Sequence, residues 1–246
     1  MRIIFLLFFI CLFFNSCTKN GGNCIKSPGS EKSISENLGN FNSIILNDLF
    51  DVTIIDSTSY SIKITTGEYL LSFIKYEIID NELIIDNSYK CSWLTKPEKP
   101  KITISTPTLE KIIVNDACDL RSIGTLNYNN LIIDCFAKIL TTDITIDCDD
   151  YFCFKANSTT GDYYIKGRCG YAFLYNLGHG YLYADDLKCE YMDFVHESHG
   201  HSRICATNKL SVSSIKYGEV FLITNICPEI VFANDSERER ISGNCI

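Results

Sequence analysis

Four histidines fall between positions 179 and 201: His179, His196, His199 and His201. Imidazole nitrogens are good ligands for Zn²⁺ or Cu²⁺. On extended backbone, residues two apart share a face, so His199 and His201 would project together. His179 sits about one repeat earlier, near the same corner, and Glu197 or Asp193 could add a carboxylate. The spacing is not the His-Glu-x-x-His of a helical zinc protease. The same tract reads equally as a solvent-facing polar corner, and that reading outweighs a metal site. We therefore assign no metal and no cofactor; His179, His199 and His201 are the residues a metal would use. Two acid pairs, Asp149-Asp150 and Asp185-Asp186, could in principle work on a glycosidic bond if held at a suitable separation. Both fall at turns, where carboxylates are usually just solvated. With no Gly-x-Ser-x-Gly elbow or phosphate-binding loop either, no catalytic residue is assigned.

Tyrosines form the other pattern with chemical content. Tyr151, Tyr171 and Tyr191 recur every 20 residues, and Tyr183 lies between the last two. Stacked on parallel strands, equivalent residues would lie about 4.8 Å apart. A tyrosine ladder of this kind is first of all packing. Its second reading is an exposed aromatic stripe of Tyr171, Tyr183 and Tyr191 for a glycan or protein ligand.

What must position these residues is a beat in the second half of the chain. Apolar runs open at Leu131, Tyr151, Tyr171, Tyr191, Leu210 and Ile230, in steps of 19 or 20 residues. A fixed period of this size marks stacked units that bury their faces against one another. Each unit holds two strand-like pieces around a glycine-containing turn, as in Tyr171–Tyr175 and Tyr181–Ala184. Upstream, Phe41–Leu46, Phe50–Ile55, Tyr60–Thr65, Lys101–Ser105 and Lys111–Asn115 read as strands rich in β-branched and aromatic residues. Asp80-Asn81 separates Tyr76–Ile79 from Glu82–Asp86 as a hairpin turn. Residues 68–74 are ambiguous and could form one short helix.

The chain opens with Met1-Arg2 and then an apolar run from Ile3 to Phe14, too short to cross a bilayer as a helix. It closes on Asn15-Ser16-Cys17. A small residue before a cysteine at the end of such a core looks like a lipobox, which implies cleavage before Cys17 and its acylation. Residues 1–16 are then a lipoprotein signal peptide, 17–37 a lipidated flexible tether, and 38–246 the folded domain. The membrane partner is reached through that N-terminal lipid, and the expected address is the outer membrane, facing periplasm or cell surface. The formal net charge of −8, with no basic stripe, excludes nucleic acid as a partner. Of 13 cysteines, eleven remain beyond Cys11 and Cys17. Cys148, Cys169 and Cys189 follow the period and could stack at one corner; we expect a mixture of free thiols with one or two bridges.

The order of strands from Phe50-Asp51-Val52-Thr53-Ile54 through Ser61-Ile62-Lys63-Ile64 and Asp80-Asn81-Glu82-Leu83-Ile84-Ile85 to Lys101-Ile102-Thr103-Ile104 resembles the putative auto-transporter adhesin family with the head GIN domain, over roughly 38–246. The later turns keep one glycine each at Gly161, Gly200 and Gly218 and two around His179. The resemblance implies an all-β fold, a right-handed parallel β-helix or β-solenoid with rungs of about 20 residues, the N-terminal strands forming the first rungs or a cap. It also implies a non-enzymatic envelope lipoprotein with a binding or adhesion surface for a protein or glycan. The alternative is a carbohydrate-active enzyme, a lyase or hydrolase, on the same scaffold. That enzyme would need a column of convergent acids on a strand face, and the aligned repeats offer none.

Overall fold

Alternation of β-branched residues with polar ones makes strands of nearly every segment in this chain. The structure, a computed structural model, describes residues 28–89 and 98–246. The signal segment, Cys17, Cys24 and Cys91 lie outside the described residues. In chain order the strands are β1 (Glu31–Asn37), β2 (Ser43–Leu46), β3 (Phe50–Asp56), β4 (Ser61–Gly67), β5 (Ile74–Ile79), β6 (Glu82–Asn87), β7 (Lys101–Thr106), β8 (Lys111–Val114) and β9 (Cys118–Asn127). There follow β10 (Asn130–Cys135), β11 (Leu140–Thr159), β12 (Asp162–Gly178), β13 (Tyr181–Ser198), β14 (Ser202–Ile215), β15 (Val220–Leu222), β16 (Glu229–Phe232) and β17 (Ile241–Gly243). The ambiguous stretch before β5 holds a 3-10 turn, Leu71–Phe73.

These strands coil into a β-solenoid with two walls. The first halves of β11 to β14 pair in parallel with one another, with β9 on one side and with β15 and then β17 on the other. Their second halves pair in parallel likewise, between β10 and β16. The chain turns sharply between the halves, at residues 147–150, 167–170 and 187–190. Gly167 shows why glycine is needed there: its φ is +112°, and a Cβ would lie 1.9 Å from the Ile146 carbonyl oxygen. Inward side chains from the two walls meet across a narrow core. Ile144, Tyr163, Ile165 and Leu182 face Phe152, Phe154, Leu174 and Phe194, all at most 1% exposed. The rings of Phe154 and Tyr163 span the gap at 5.2 Å between centroids.

The true register corrects the phase of the beat. Asn130, Tyr151, Tyr171, Tyr191, Lys209 and Glu229 are partners in one outward column, at steps of 21, 20, 20, 18 and 20 residues. Leu131, Leu210 and Ile230 belong to the next column, with Phe152, Ala172 and Met192, and Leu131 and Leu210 are fully buried. In a strand a slip of one residue changes the face. Irregularities in β11 and between β13 and β14 absorb the difference.

The N-terminal strands form both rung and cap, in an order that chain order does not follow. The rung β2–β3 is inserted between β6–β7 on one side and β8–β9 on the other. Beyond it, β4 pairs antiparallel with β7, β1 antiparallel with β4, and β5 antiparallel with β6. These antiparallel strands close the end of the stack. The expectation of a flexible tether through residue 37 is corrected here: Glu31–Asn37 is a strand. All seven of its residues are exposed, so no apolar pattern announced it. It is held by the backbone ladder and by pairs such as Ser33 with Thr65 at 2.7 Å and Lys32 with Glu68 at 3.0 Å. At the other end a 3-10 turn, Asp235–Arg240, joins β16 to β17, and a disulfide links Cys227 to Cys245.

Candidate functional site

The outer faces of the two walls carry the exposed aromatic chemistry. On the second wall, parallel pairing sets Tyr151, Tyr171 and Tyr191 in register. The rings of Tyr151 and Tyr171 stack 5.6 Å apart at 24°, and Tyr191 is 41% exposed. The Tyr171 hydroxyl donates to the Asp193 carboxylate one column over. Burial, reinforced by that carboxylate, pushes the Tyr171 phenol up to about 12, so it stays a neutral donor. Lys155 lies 6.0 Å over the Phe173 ring, and Lys209 pairs with Glu229 at 3.4 Å. The three tyrosines are therefore in register as expected from the sequence, and Tyr151 and Tyr171 also pack ring on ring.

Tyr183 does not join that stripe. It stands on the first wall, between Tyr164 and Arg203 in register. Wall alternation explains the separation: Tyr171 and Tyr191 follow the corner in their rungs, and Tyr183 precedes it. The Tyr183 and Tyr164 rings stack 4.6 Å apart at 7°. His201 meets Tyr183 edge-on at 5.3 Å and Tyr181 at 4.9 Å, and its ring lies 6.1 Å from that of Phe221. Tyr164 and Tyr181 are 37% and 41% exposed. Arg203 closes one side, donating to Asp185 at 2.7 Å and 3.1 Å. The result is an outward cluster of stacked and edge-on rings bordered by a charge pair. Sequence reasoning missed Tyr164 and Tyr181 as its members. The signal was available, since Tyr164, Tyr183 and Arg203 keep the rung spacing.

The histidine candidates do not converge. At the corner between walls, His179 stacks on His199 at 5.0 Å and 19°, and His199 on Tyr217 at 4.4 Å and 18°. His201 turns onto the first wall instead. The proposed carboxylate ligands are engaged elsewhere, Asp193 by Tyr171 and Glu197 by Lys216 at 2.7 Å. Among the described residues no group of three or more His, Cys, Asp or Glu side chains is placed to hold a metal ion.

His196 is the histidine the sequence did not single out, and it is fully buried. It belongs to a polar cluster inside the same corner. Its Nδ1 lies 2.9 Å from the Ser202 hydroxyl, and Asn176 donates to Ser202 at 3.2 Å and to the Gly180 carbonyl at 3.1 Å. Ser198 donates to the same carbonyl at 2.8 Å. Burial pushes the His196 imidazole down to about 4, so the ring is neutral. The cluster organises the corner on whose outside His179 and His199 stack.

Comparison with known proteins bears on the whole arrangement. The sequence model of the family described as putative auto-transporter adhesin, head GIN domain, matches residues 40–225. A solved structure of a putative adhesin from Bacteroides fragilis is similar, with TM-score 0.71 and 19% identity, over 87% of this chain and 95% of that one. A putative adhesin from Parabacteroides merdae, at TM-score 0.53 and 13% identity, covers 87% of this chain and 95% of its own. A structure from Parabacteroides distasonis called a putative lipid binding protein reaches TM-score 0.54 at 13% identity, over 87% and 97%. At these identities the likeness is one of fold. No curated protein matches the chain.

Proposed function

The chain belongs to the putative auto-transporter adhesin, head GIN domain, family, and from that premise we propose that it is a non-enzymatic binding protein of the cell envelope. A lipid on Cys17 holds it at the outer membrane, and a solenoid wall contacts a glycan or protein. The observation that carries this reading is the outward aromatic cluster of the first wall, where Tyr164 and Tyr181 are exposed beside the half-buried Tyr183 and His201. Exposed rings beside an ion pair suit a ligand with apolar C–H faces and polar rims, as sugars have. The second-wall ladder is the weaker surface, because Tyr171 spends its hydroxyl on Asp193.

The test separates the walls. The purified chain is bound to an array of immobilised glycans, with Tyr164→Ala/Tyr183→Ala and Tyr171→Ala/Tyr191→Ala as variants. The first pair should lose at least about ten-fold in affinity, the equivalent of about 1.4 kcal/mol, and the second pair should lose little. Both variants binding like the unmodified chain would remove the aromatic surface from the account.

A further inference from the structure

A column of thiols stands where the middle rungs turn from the first wall to the second. Cys148 is the register partner of Cys169, and Cys169 of Cys189; the first pair ends its run at a register shift, whereas the second keeps its register on both sides. Adjacent parallel strands lie about 4.8 Å apart, inside the Cα separation of about 4.4–6.8 Å that a disulfide spans. The column ends at Cys189, because an irregularity sets Ala206 opposite it and moves Cys205 out of line. All three are free thiols. They line a surface cleft of about 310 Å³ together with Arg168, Gly170 and Lys188. Cys169, in the middle, is 6% exposed, against 1% for each of its neighbours. Gly170 beside it has no side chain to cover it.

The two flanking thiols are not equivalent. Cys189 lies within hydrogen-bonding reach of Cys169, and that contact, ahead of burial, raises its thiol well above the ordinary value. Cys189 also donates at 3.6 Å to the carbonyls of Leu187 and Cys205, which fixes its sulfur toward the corner. Cys148 is pushed up to about 12 chiefly by burial, with Cys169 acting on it only through charge.

We propose that Cys169 and Cys189 are a cross-rung oxidation site, which closes to a disulfide stapling β12 to β13 when a small disulfide enters the cleft. The Cys169 thiolate attacks one sulfur of the entering disulfide, releasing one thiolate and leaving a mixed disulfide. Cys189 passes its proton to the thiolate just released, attacks the Cys169 sulfur and expels the second thiolate. The protein dithiol is oxidised, the external disulfide is reduced to two thiols, and no other oxidant is needed. Cys169 is the entry point because it is the member solvent reaches. Cys148 stays reduced, since Cys169 can bond to only one neighbour. The bond would hold two successive rungs in register at the corner, adding a covalent tie to the backbone pairing there.

The sequence makes the test direct, because Arg168 and Lys188 put the three cysteines in three tryptic peptides, 139–155, 169–188 and 189–203, the first of which also holds Cys153 and is resolved by fragment sequencing. The folded chain is incubated with oxidised glutathione, quenched in acid, alkylated in denaturant and digested. The inference expects peptide 169–188 linked to 189–203 and a loss of two alkylatable thiols. The link should persist in Cys148→Ser and vanish in Cys169→Ser, with Cys148 and Cys189 then both alkylated. Recovery of all three as alkylated thiols, arrest of Cys169 as a glutathione adduct, or a link from Cys169 to Cys148 in the unmodified chain would each overturn it. Should Cys169→Ser fail to fold, the unmodified chain and Cys148→Ser decide the matter.

Discussion

Tyr171, Tyr183 and His196 carry the chemistry of this molecule at the residue scale, and each was legible to a different degree. The Tyr171 ladder could be read from spacing, because identical outward residues recurred at one rung. Tyr183 stands less than a rung from both Tyr171 and Tyr191, so its partners by spacing are Tyr164 and Arg203, a column of its own. His196 looked like one of four surface histidines, yet its ring is the one inside. That burial has a pH consequence. The folded state keeps His196 neutral down to about pH 4, whereas the unfolded chain takes up its proton near 6.5. Protons therefore favour unfolding: stability from this group is intact above about pH 6.5 and is lost as pH falls toward 4. The loss should reach about 3 kcal/mol. Denaturation of the chain and of His196→Gln at pH 7 and pH 4 checks this. The stability gap between them should narrow by about that amount in acid, and parallel profiles would contradict it.

Elements show a sharper divide between what patterns reveal and what they hide. Strands β2 to β8 declared themselves by alternation, and the Asp80-Asn81 hairpin by its turn pair. In the structure Ile79 and Glu82 are partners across a two-residue loop, with φ of +51° at Asp80 and +66° at Asn81. Both turn residues being left-handed is the form that matches the twist of the flanking strands. Asn81→Val should therefore destabilise the cap by about 1–2 kcal/mol, and Asn81→Gly should not destabilise it. Chemical denaturation of the two variants measures the difference; equal losses would mean that backbone strain does not govern this turn. Two features stayed hidden for physical reasons. Strand β1 is an edge strand without a buried side chain, held by backbone pairing, so hydrophobic periodicity is silent about it. The insertion of β2–β3 between β6–β7 and β8–β9 depends on long-range parallel pairing, and every strand involved offers the same inward Ile, Leu or Val.

The whole molecule is a stack with two closed ends and two open faces. Antiparallel strands β1, β4 and β5 blunt the edges at one end, and the segment Asp235–Arg240 with the Cys227–Cys245 disulfide finishes the other. Core residues then hold the rungs, and the walls remain for contact. Ion pairs along them, such as Lys166 with Asp143 at 3.1 Å and Arg168 with Asp147 at 2.7 Å, run between successive rungs and are solvent-exposed. Each is worth little alone; together they keep the outer faces polar around the aromatic surface. The proposed adhesion role has this surface meet its ligand outside the cell, with a lipid on Cys17 as the proposed anchor. Protease shaving of intact cells producing the full chain, beside a Cys17→Ser control, tests this most directly. The account predicts that the domain on intact cells is lost to protease, and that the control is no longer held at the cell surface. Protection of the domain until the outer membrane is opened would put the walls in the periplasm and contradict the adhesion reading.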